Sequence, residues 1–285
     1  MAKIKKINAL FQIDNIYTLN PKTDTSLAII KEGINLGIDI WITNPNKLTY
    51  LNKKTHFAAQ KVLDLSLELS EERNHHLDKF DFFFIRQDPP FDMNYISNCY
   101  LLELHKKHNK KPFFINDPSG IKNFTEKIFP LYFSDLMPNT MVTSNSDEFE
   151  YMLNKSRTVV IKPLYCKGGE GIYKLSKLGN NPNLKFQEIL RKYKSPIVVQ
   201  EYLGKVKLGD KRVIFIDGVA VGVVNRVPKT GGFKANLHLG GKASKAKLTQ
   251  KENNICLKLG KFFRANKLFL VGIDLIDQKL TEINI

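Results

Sequence analysis

The chain has 285 residues, 42% of them apolar, and 44 Lys and Arg against 28 Asp and Glu give a net charge of +16. That composition specifies a folded protein and excludes a disordered one, and the length suffices for two or three lobes. No apolar run reaches the roughly 18–20 residues needed to span a bilayer. The basic surplus fits three readings: a nucleic-acid patch, a solvated lysine-rich surface, or steering of anionic small substrates. Lysine is scattered and no aromatic-plus-basic signature accompanies it, so no nucleic-acid partner is expected. The segment after Met1 is basic but lacks an apolar signal-peptide core, being broken by Asn8, Gln12 and Asp14. Cys99, Cys166 and Cys256 are far apart without metal-type spacing, which points to a reducing cytoplasm.

In chain order, residues 4–13 read as a buried first strand. Asp24 or Thr25 caps a helix carrying Leu27, Ile30 and Ile34, and Gly37 ends it. Residues 38–42 form a second strand, so the strand–helix–strand order predicts an open α/β sheet. Residues 43–79 are polar and give no clear pattern. Residues 80–86 are a strongly apolar strand, and the Pro89-Pro90 pair makes a rigid turn after it. A helix is expected over 93–108, a strand over 113–115 and a loop over 116–120.

The next segment opens with a helical stretch at 125–129. A short strand at 141–143 precedes a helix capped by Ser146. Residues 158–163 form a strand, Lys167 to Gly171 a glycine-rich loop, and residues 172–175 the returning strand. A helix follows over 183–193 and a strand over 196–203. Asp217-Gly218 is a hairpin signal between strands 209–216 and 219–226. Residues 229–247 are a glycine- and lysine-rich loop. Thr249 and Glu252 make a capping box for a helix to about Asn266. Residues 271–285 read as two strands around an Asp277-Gln278 turn.

Several residues along this order suit chemistry. Lys162, at a strand end before the glycines, can meet phosphate as a point charge. Gly168, Gly169 and Gly171 let backbone N–H groups approach an anion, although an ordinary hairpin turn gives the same pattern. The loop is neither a P-loop nor a dinucleotide fingerprint, since it returns as a strand. The backbone from Gln200 to Leu203 offers an adenine-type strand end, with Glu201 facing ribose hydroxyls; a plain strand terminus is the alternative. Arg212 and Arg226 lie on paired strands and suit phosphate or carboxylate, or simply form an exposed basic face. Glu282 and Asn284 are two apart and share a strand face that Asp274 can join from the paired strand. Two carboxylates and an amide oxygen suit Mg²⁺, while an amphipathic hairpin with solvated acids fits equally well. His105 and His108 are expected on a solvated helix face, and Cys99 and Cys256 in cores.

The ordered set resembles the prokaryotic glutathione synthetases of the ATP-grasp superfamily over essentially the whole chain. The resemblance is carried by residues 85–92 (Ile-Arg-Gln-Asp-Pro-Pro-Phe-Asp), 125–129, 133–136, 161–163, Gly168-Gly169, 209–212, Arg226 with Pro228, Gly240-Gly241, 271–274 and 280–284. It implies a mixed α/β and α+β ATP-grasp fold with an N-terminal open α/β lobe. Residues 1–123 would be the substrate lobe. Residues 124–285 would be the ATP-grasp domain, with a central lobe to about 200 and a C-terminal lobe from about 201. ATP would be contacted by Lys127 and Lys162 with the glycine flap over its phosphates. Gln200, Glu201, Tyr202 and Leu203 would hold adenine, and Asp210 would approach the ribose or the substrate side. Arg86, Lys234 and Asn236 would lie on the substrate side. Arg212 and Arg226 would neutralise charge during catalysis. Asp274, Glu282 and Asn284 match the family's metal ligands for Mg²⁺, with Mn²⁺ as an alternative. The implied reaction joins γ-glutamylcysteine to glycine through an acyl phosphate formed from ATP, in a homodimer or homotetramer.

The sequence departs from the family pattern in three places. Tyr165 and Cys166 replace the usual Asp-Gly before the glycine pair. Lys234 stands where relatives commonly carry arginine near Asn236, keeping the charge without the fork. The chain stops soon after Asn284, where relatives continue with a peptide-binding turn and a helix, so a truncated product is expected. Rival readings are an ATP-grasp ligase extending a peptide or protein tail, and a non-catalytic basic nucleic-acid-binding module.

Overall fold

The computed structural model of the protein describes residues 6–166, 168–235 and 240–285. It divides into two compact units, Met1–Asn123 and Phe124–Ile285. Among the described residues no helix is long and apolar enough to cross a membrane.

The first unit begins with β1 (Asn8–Gln12), α1 (Thr25–Asn35) and β2 (Asp39–Thr43). The Asp24 side chain accepts from the Leu27 N–H and caps α1. Residues 43–79, unreadable in sequence, form β3 (Leu48–Leu51), β4 (Lys54–Lys61) and β5 (Arg73–His76). Then come β6 (Phe82–Ile85), α2 (Met93–His108), β7 (Phe113–Ile115) and α3 (Pro118–Asn123), the last where a loop was expected. Strand order is β3-β4-β2-β1-β6-β7, with β5 also on β4. The four strands β2, β1, β6 and β7 are parallel. Side-chain alternation splits the core in two. Phe11, Ile13 and Ile42 pack on Leu27 and Ile30 of α1. Leu10, Phe83 and Ile85 pack on Tyr95, Cys99 and Leu102 of α2. The chain therefore leaves β1 toward one face of the sheet and β6 toward the other.

His105 corrects an expectation. It is fully buried rather than solvated, while His108 is exposed. Its Nδ1 accepts from the Thr55 N–H at 3.0 Å, and its Nε2 donates to the Lys111 carbonyl at 2.8 Å. That bonding uses the neutral ring, and burial lowers its pKa below the ordinary histidine value despite the Lys111 carbonyl. The unfolded chain thus binds this proton first as pH falls. Stability from His105 is complete above about pH 6.5 and is lost progressively below it. Melting temperature should fall between pH 7 and pH 5, and His105→Gln should flatten that slope. An unchanged slope in the variant would remove His105 as its source.

The second unit starts with a single helical turn, the Phe129 N–H donating to the Thr125 carbonyl at 2.9 Å, followed by a 3-10 segment, Phe129–Leu136. It continues with β8 (Thr140–Thr143), α4 (Ser146–Ser156), β9 (Thr158–Pro163), β10 (Tyr173–Ser176), α5 (Pro182–Tyr193) and β11 (Ile197–Glu201). Asn145, not Ser146, caps α4 by accepting from the Asp147 N–H. These strands make an antiparallel sheet in the order β10-β9-β11-β8, covered by Phe149, Met152, Phe186 and Ile189 of the two helices.

A five-stranded antiparallel sheet follows, built from β12 (Asp210–Ile216), β13 (Val219–Val227), β14 (Lys242–Lys245), β15 (Leu270–Ile276) and β16 (Lys279–Asn284), with α6 (Gln250–Ala265) between β14 and β15. Its order is β14-β13-β12-β15-β16. Asp217 and Gly218 turn β12 into β13, and Asp277 and Gln278 turn β15 into β16, all four at positive φ. Thr249 and Glu252 form the expected capping box of α6. Val213, Phe215, Val271, Ile273 and Ile283 pack on Ile255, Leu259 and Phe263 of α6. The residues between them in sequence point to the other face.

Candidate functional site

The opposite face of that sheet is charged, and the register explains how. Asp210 pairs with Arg226, Arg212 with Asp274, and Asp274 with Glu282. Directly paired residues share a face, as do residues two apart on a strand. Arg226, Asp210, Arg212, Asp274, Glu282 and Asn284 therefore line one surface across four strands. Gly272 shares it, and a Cβ there would press against Arg212 Cδ at 3.1 Å, so the glycine leaves Arg212 room to lie across β15.

The charges interlock. Arg212 forks onto Asp274 through Nε and Nη2, the latter bond being 2.9 Å. Arg226 Nη2 lies 2.8 Å from Asp274 Oδ1 and donates to Asp210 Oδ2 at 2.6 Å. Burial pushes the Asp274 carboxyl upward, but Arg212 and Arg226 outweigh it and hold the group at about 2. Asp210 goes the other way: burial and the Asp274 charge push it to about 7 against the pull of both arginines. Asp210 Oδ1 and Arg226 Nε are buried without a hydrogen-bond partner among the described residues.

The first sheet of this unit contributes lysines. Lys162, on β9 and buried, donates to Glu282 Oε1 at 3.1 Å. Lys127 donates to Glu126 Oε1 at 2.7 Å and to the Cys166 carbonyl at 2.8 Å. Glu126 lies against the strand that carries Glu282, its carbonyl accepting from the Ile283 N–H at 3.4 Å. Burial and then the Glu282 charge push Glu126 to about 7, whereas Lys162 and Lys127 overcome burial and lower Glu282. Glu126 escaped sequence reasoning. Its signal is an acid beside Lys127 at the entrance to an apolar segment.

Gly168, Gly169 and Gly171 all take positive φ, where L side chains are strained. Lys234 donates to the Gly169 carbonyl at 2.8 Å, so the basic loop touches the glycine loop. Lys167 and Asn236 lie outside the described residues. At the β11 exit, Gln200 Nε2 donates to Thr140 Oγ1 at 2.9 Å, and Glu201 Oε2 accepts from the Asn139 N–H at 3.3 Å. Lys174 lies 4.2 Å over the Tyr202 ring. The Glu201 and Tyr202 N–H groups donate to the Asn139 and Thr158 carbonyls, and the Leu203 carbonyl accepts from Val206. In the first unit, Arg86 Nε donates to Ser26 Oγ at 3.0 Å.

The structure thus gathers Lys127, Lys162, Asp210, Arg212, Arg226, Asp274 and Glu282, with Asn284 on the same face. Asp274, Glu282 and Asn284 offer an oxygen-only donor set from adjacent rigid strands, which fits a hard divalent cation that keeps some water. Among the described residues no group of three His, Cys, Asp or Glu side chains is arranged to hold a metal, so the amide is integral to this set.

Comparison with known proteins gives consistent matches. Residues 7–122 match the family model described as prokaryotic glutathione synthetase, N-terminal domain, and residues 126–285 match prokaryotic glutathione synthetase, ATP-grasp domain. The glutathione synthetase of Mesorhizobium japonicum is 36% identical over 98% of this chain and 90% of its own length. That of Agrobacterium fabrum is 34% identical over 100% of this chain and 89% of its own. Among solved structures, D-alanyl-alanine synthetase A from Vibrio cholerae superposes with a TM-score of 0.63 at 14% identity, over 98% of this chain and 88% of its own. D-cycloserine synthetase DcsG superposes with a TM-score of 0.66 at 13% identity, over 97% and 91%. At such identities these structures establish the fold alone.

Proposed function

The chain belongs to the prokaryotic glutathione synthetase family of ATP-grasp ligases, and from that premise we propose that it joins γ-glutamylcysteine to glycine at the expense of ATP. The observation that carries this reading is the cluster of Lys127, Lys162, Arg212 and Arg226 around Asp274 and Glu282, beside a glycine loop. Four cations in one polar pocket suit a polyphosphate and an anionic peptide together.

In this reading the cysteinyl carboxylate attacks the γ-phosphorus, ADP leaves, and an acyl phosphate forms. The amine of glycine then attacks the acyl carbon, phosphate departs, and the nitrogen loses a proton. Arg212 and Arg226 hold the transferring phosphoryl group and the developing charge. Lys127 and Lys162 take the ATP phosphates, the loop of Gly168, Gly169 and Gly171 covers them, and Gln200 to Leu203 hold adenine. Asp210 faces the ribose or substrate side, and Arg86, Lys234 and Asn236 serve the peptide. Asp274, Glu282 and Asn284 would hold Mg²⁺ or Mn²⁺, which would supply neutralisation of phosphate charge. No side-chain nucleophile is needed, so the protein acts by positioning and electrostatics. The first unit is the substrate lobe, and the three free cysteines fit a reducing cytoplasm.

The test is ADP formation with each substrate withheld in turn, with the tripeptide detected by mass spectrometry. Repeated turnover to ADP should require both γ-glutamylcysteine and glycine. Release with neither, or only with a different acceptor, would sink this substrate assignment.

A further inference from the structure

In the first unit, β1 and β6 are adjacent parallel strands whose connections leave to opposite faces. Such a reversal opens a crevice beyond the carboxyl ends of the two strands, the usual ligand position in open α/β sheets. Gln12 is the last residue of β1 and therefore stands at that point.

Gln12 is 1% exposed, and neither its Oε1 nor its Nε2 has a hydrogen-bond partner among the described residues. A buried amide with both ends unmatched is rare, because each unmet bond carries a desolvation cost. On the same face the Trp41 Nε1 is also left without a partner among the described residues, a single donor against the two unmatched ends of the amide. Thr43, opposite Gln12 on β2, donates to the Ala58 carbonyl at 2.8 Å. Tyr95, on the face Gln12 shares with Ile85, donates to the Gln87 carbonyl at 3.3 Å. Asn98 donates to Gln87 Oε1 at 3.3 Å and to the Pro45 carbonyl at 3.1 Å. Thr43, Tyr95, Asn98 and Gln87 are thus paired, and the amide at the strand end is not.

Arg86 supplies the other half. Its N–H donates to the Gln12 carbonyl at 2.9 Å, so the two residues are joined at the ends of their strands. Its side chain turns to the α1 face, where the bond to Ser26 Oγ fixes the guanidinium plane. The amide thus lies on the α2 face and the guanidinium on the α1 face, at the ends of neighbouring strands. A planar guanidinium matches a carboxylate, and an amide offers an acceptor to an ammonium and a donor to a carboxylate.

We propose that Gln12 and Arg86 hold the free amino-acid end of the peptide substrate, its α-ammonium and α-carboxylate, at the carboxyl ends of β1 and β6. This rests on the ligase reading above and adds Gln12 as the residue that recognises the ammonium. An α-amino acid head is selected because its two charges match the two side chains.

The experiment compares Gln12→Met and Arg86→Met with the parent protein. Binding of γ-glutamylcysteine is measured by calorimetry, alongside two analogues, glutaryl-cysteine without the α-ammonium and 4-aminobutyryl-cysteine without the α-carboxylate. Steady-state constants are taken for ATP, glycine and the dipeptide. Gln12→Met should raise the dipeptide KM about 10–100-fold and leave the KM for ATP and glycine unchanged. It should also abolish discrimination against glutaryl-cysteine, while Arg86→Met abolishes discrimination against 4-aminobutyryl-cysteine. An unchanged dipeptide KM and affinity in a folded Gln12→Met protein would overturn the proposal and make the amide a buried water-binding group. If Gln12→Met does not fold, Gln12→Glu gives the second reading: its added carboxylate should weaken the dipeptide but not 4-aminobutyryl-cysteine, and equal effects on both would overturn the assignment. Failure of the parent protein to make tripeptide would remove the ligase reading; parent turnover with unchanged Gln12 variants would remove only this site.

Discussion

Glu282→Gln is expected to lower kcat for ADP formation by about 10²–10³ while leaving the protein folded. The substitution keeps the shape of the side chain and removes one negative charge from the face shared with Asp274. Glu282 is the acid that Lys162 contacts at 3.1 Å, and it stands directly opposite Asp274 in the β15–β16 pair. With a neutral amide there, the proposed donor set loses half its anionic charge and divalent-cation affinity falls. Stability should fall, because the buried Lys162 loses its charged partner. The same substitution removes the Glu282 charge, which after burial is the second cause raising Glu126, so Glu126 ionises more readily beside Lys127. Two measurements check this: the Mg²⁺ concentration needed for half-maximal turnover, which should rise, and calorimetric binding of ATP with and without Mg²⁺. A variant whose kcat stays within about threefold of the parent would remove Glu282 from the site.

Arg226→Leu should produce the largest loss of stability. Arg226 is 7% exposed and touches both Asp210 and Asp274. Deleting it leaves two buried carboxylates to share Arg212, and breaking a buried pair on one side costs about 3–5 kcal/mol. For a unit of this size the melting temperature should fall by roughly 6–20 °C. The double variant Arg226→Leu with Asp210→Asn should recover part of that loss, because Asp210 no longer carries a charge to be neutralised. Calorimetric melting of the single and double variants tests both statements. A fall under about 2 °C, or no recovery in the double variant, would show that the cluster is not coupled as described.

The parts of the fold legible in the sequence are those set by local chemistry. The Asp217-Gly218 and Asp277-Gln278 turns, the capping box at Thr249 and the apolar strand at Phe82–Ile85 all follow from neighbouring residues. The strands β3 to β5 were obscure because they are short and polar on one side. Only Thr55, Phe57 and Ala59 of β4 are fully buried, and that alternation is hard to separate from a loop. His105 was misread because its partners, the Thr55 N–H and the Lys111 carbonyl, reach it only through folding. At the site, a two-residue period sufficed to put Glu282 and Asn284 on one face. It could not reveal that Arg212 lies opposite Asp274, which depends on the β12–β15 register. Nor could it bring Glu126 to Glu282 or leave the Gln12 amide unmatched, since both are products of tertiary packing.

The spacing of the charged face along the chain carries a consequence for biosynthesis. Arg212 and its carboxylate Asp274 are 62 residues apart. At ordinary ribosomal rates that separation corresponds to about 3–12 s of elongation. Through the larger, later part of that interval the nascent chain carries both Arg212 and Arg226 before Asp274 has been made, and β12 has only β13 to pair with. The basic half of the pocket is therefore made before the acids that complete it. Slow codons between Arg226 and Asp274 would prolong the exposure to ribosomal RNA of a hairpin in which Asp210 can serve Arg226 while Arg212 still lacks its carboxylate.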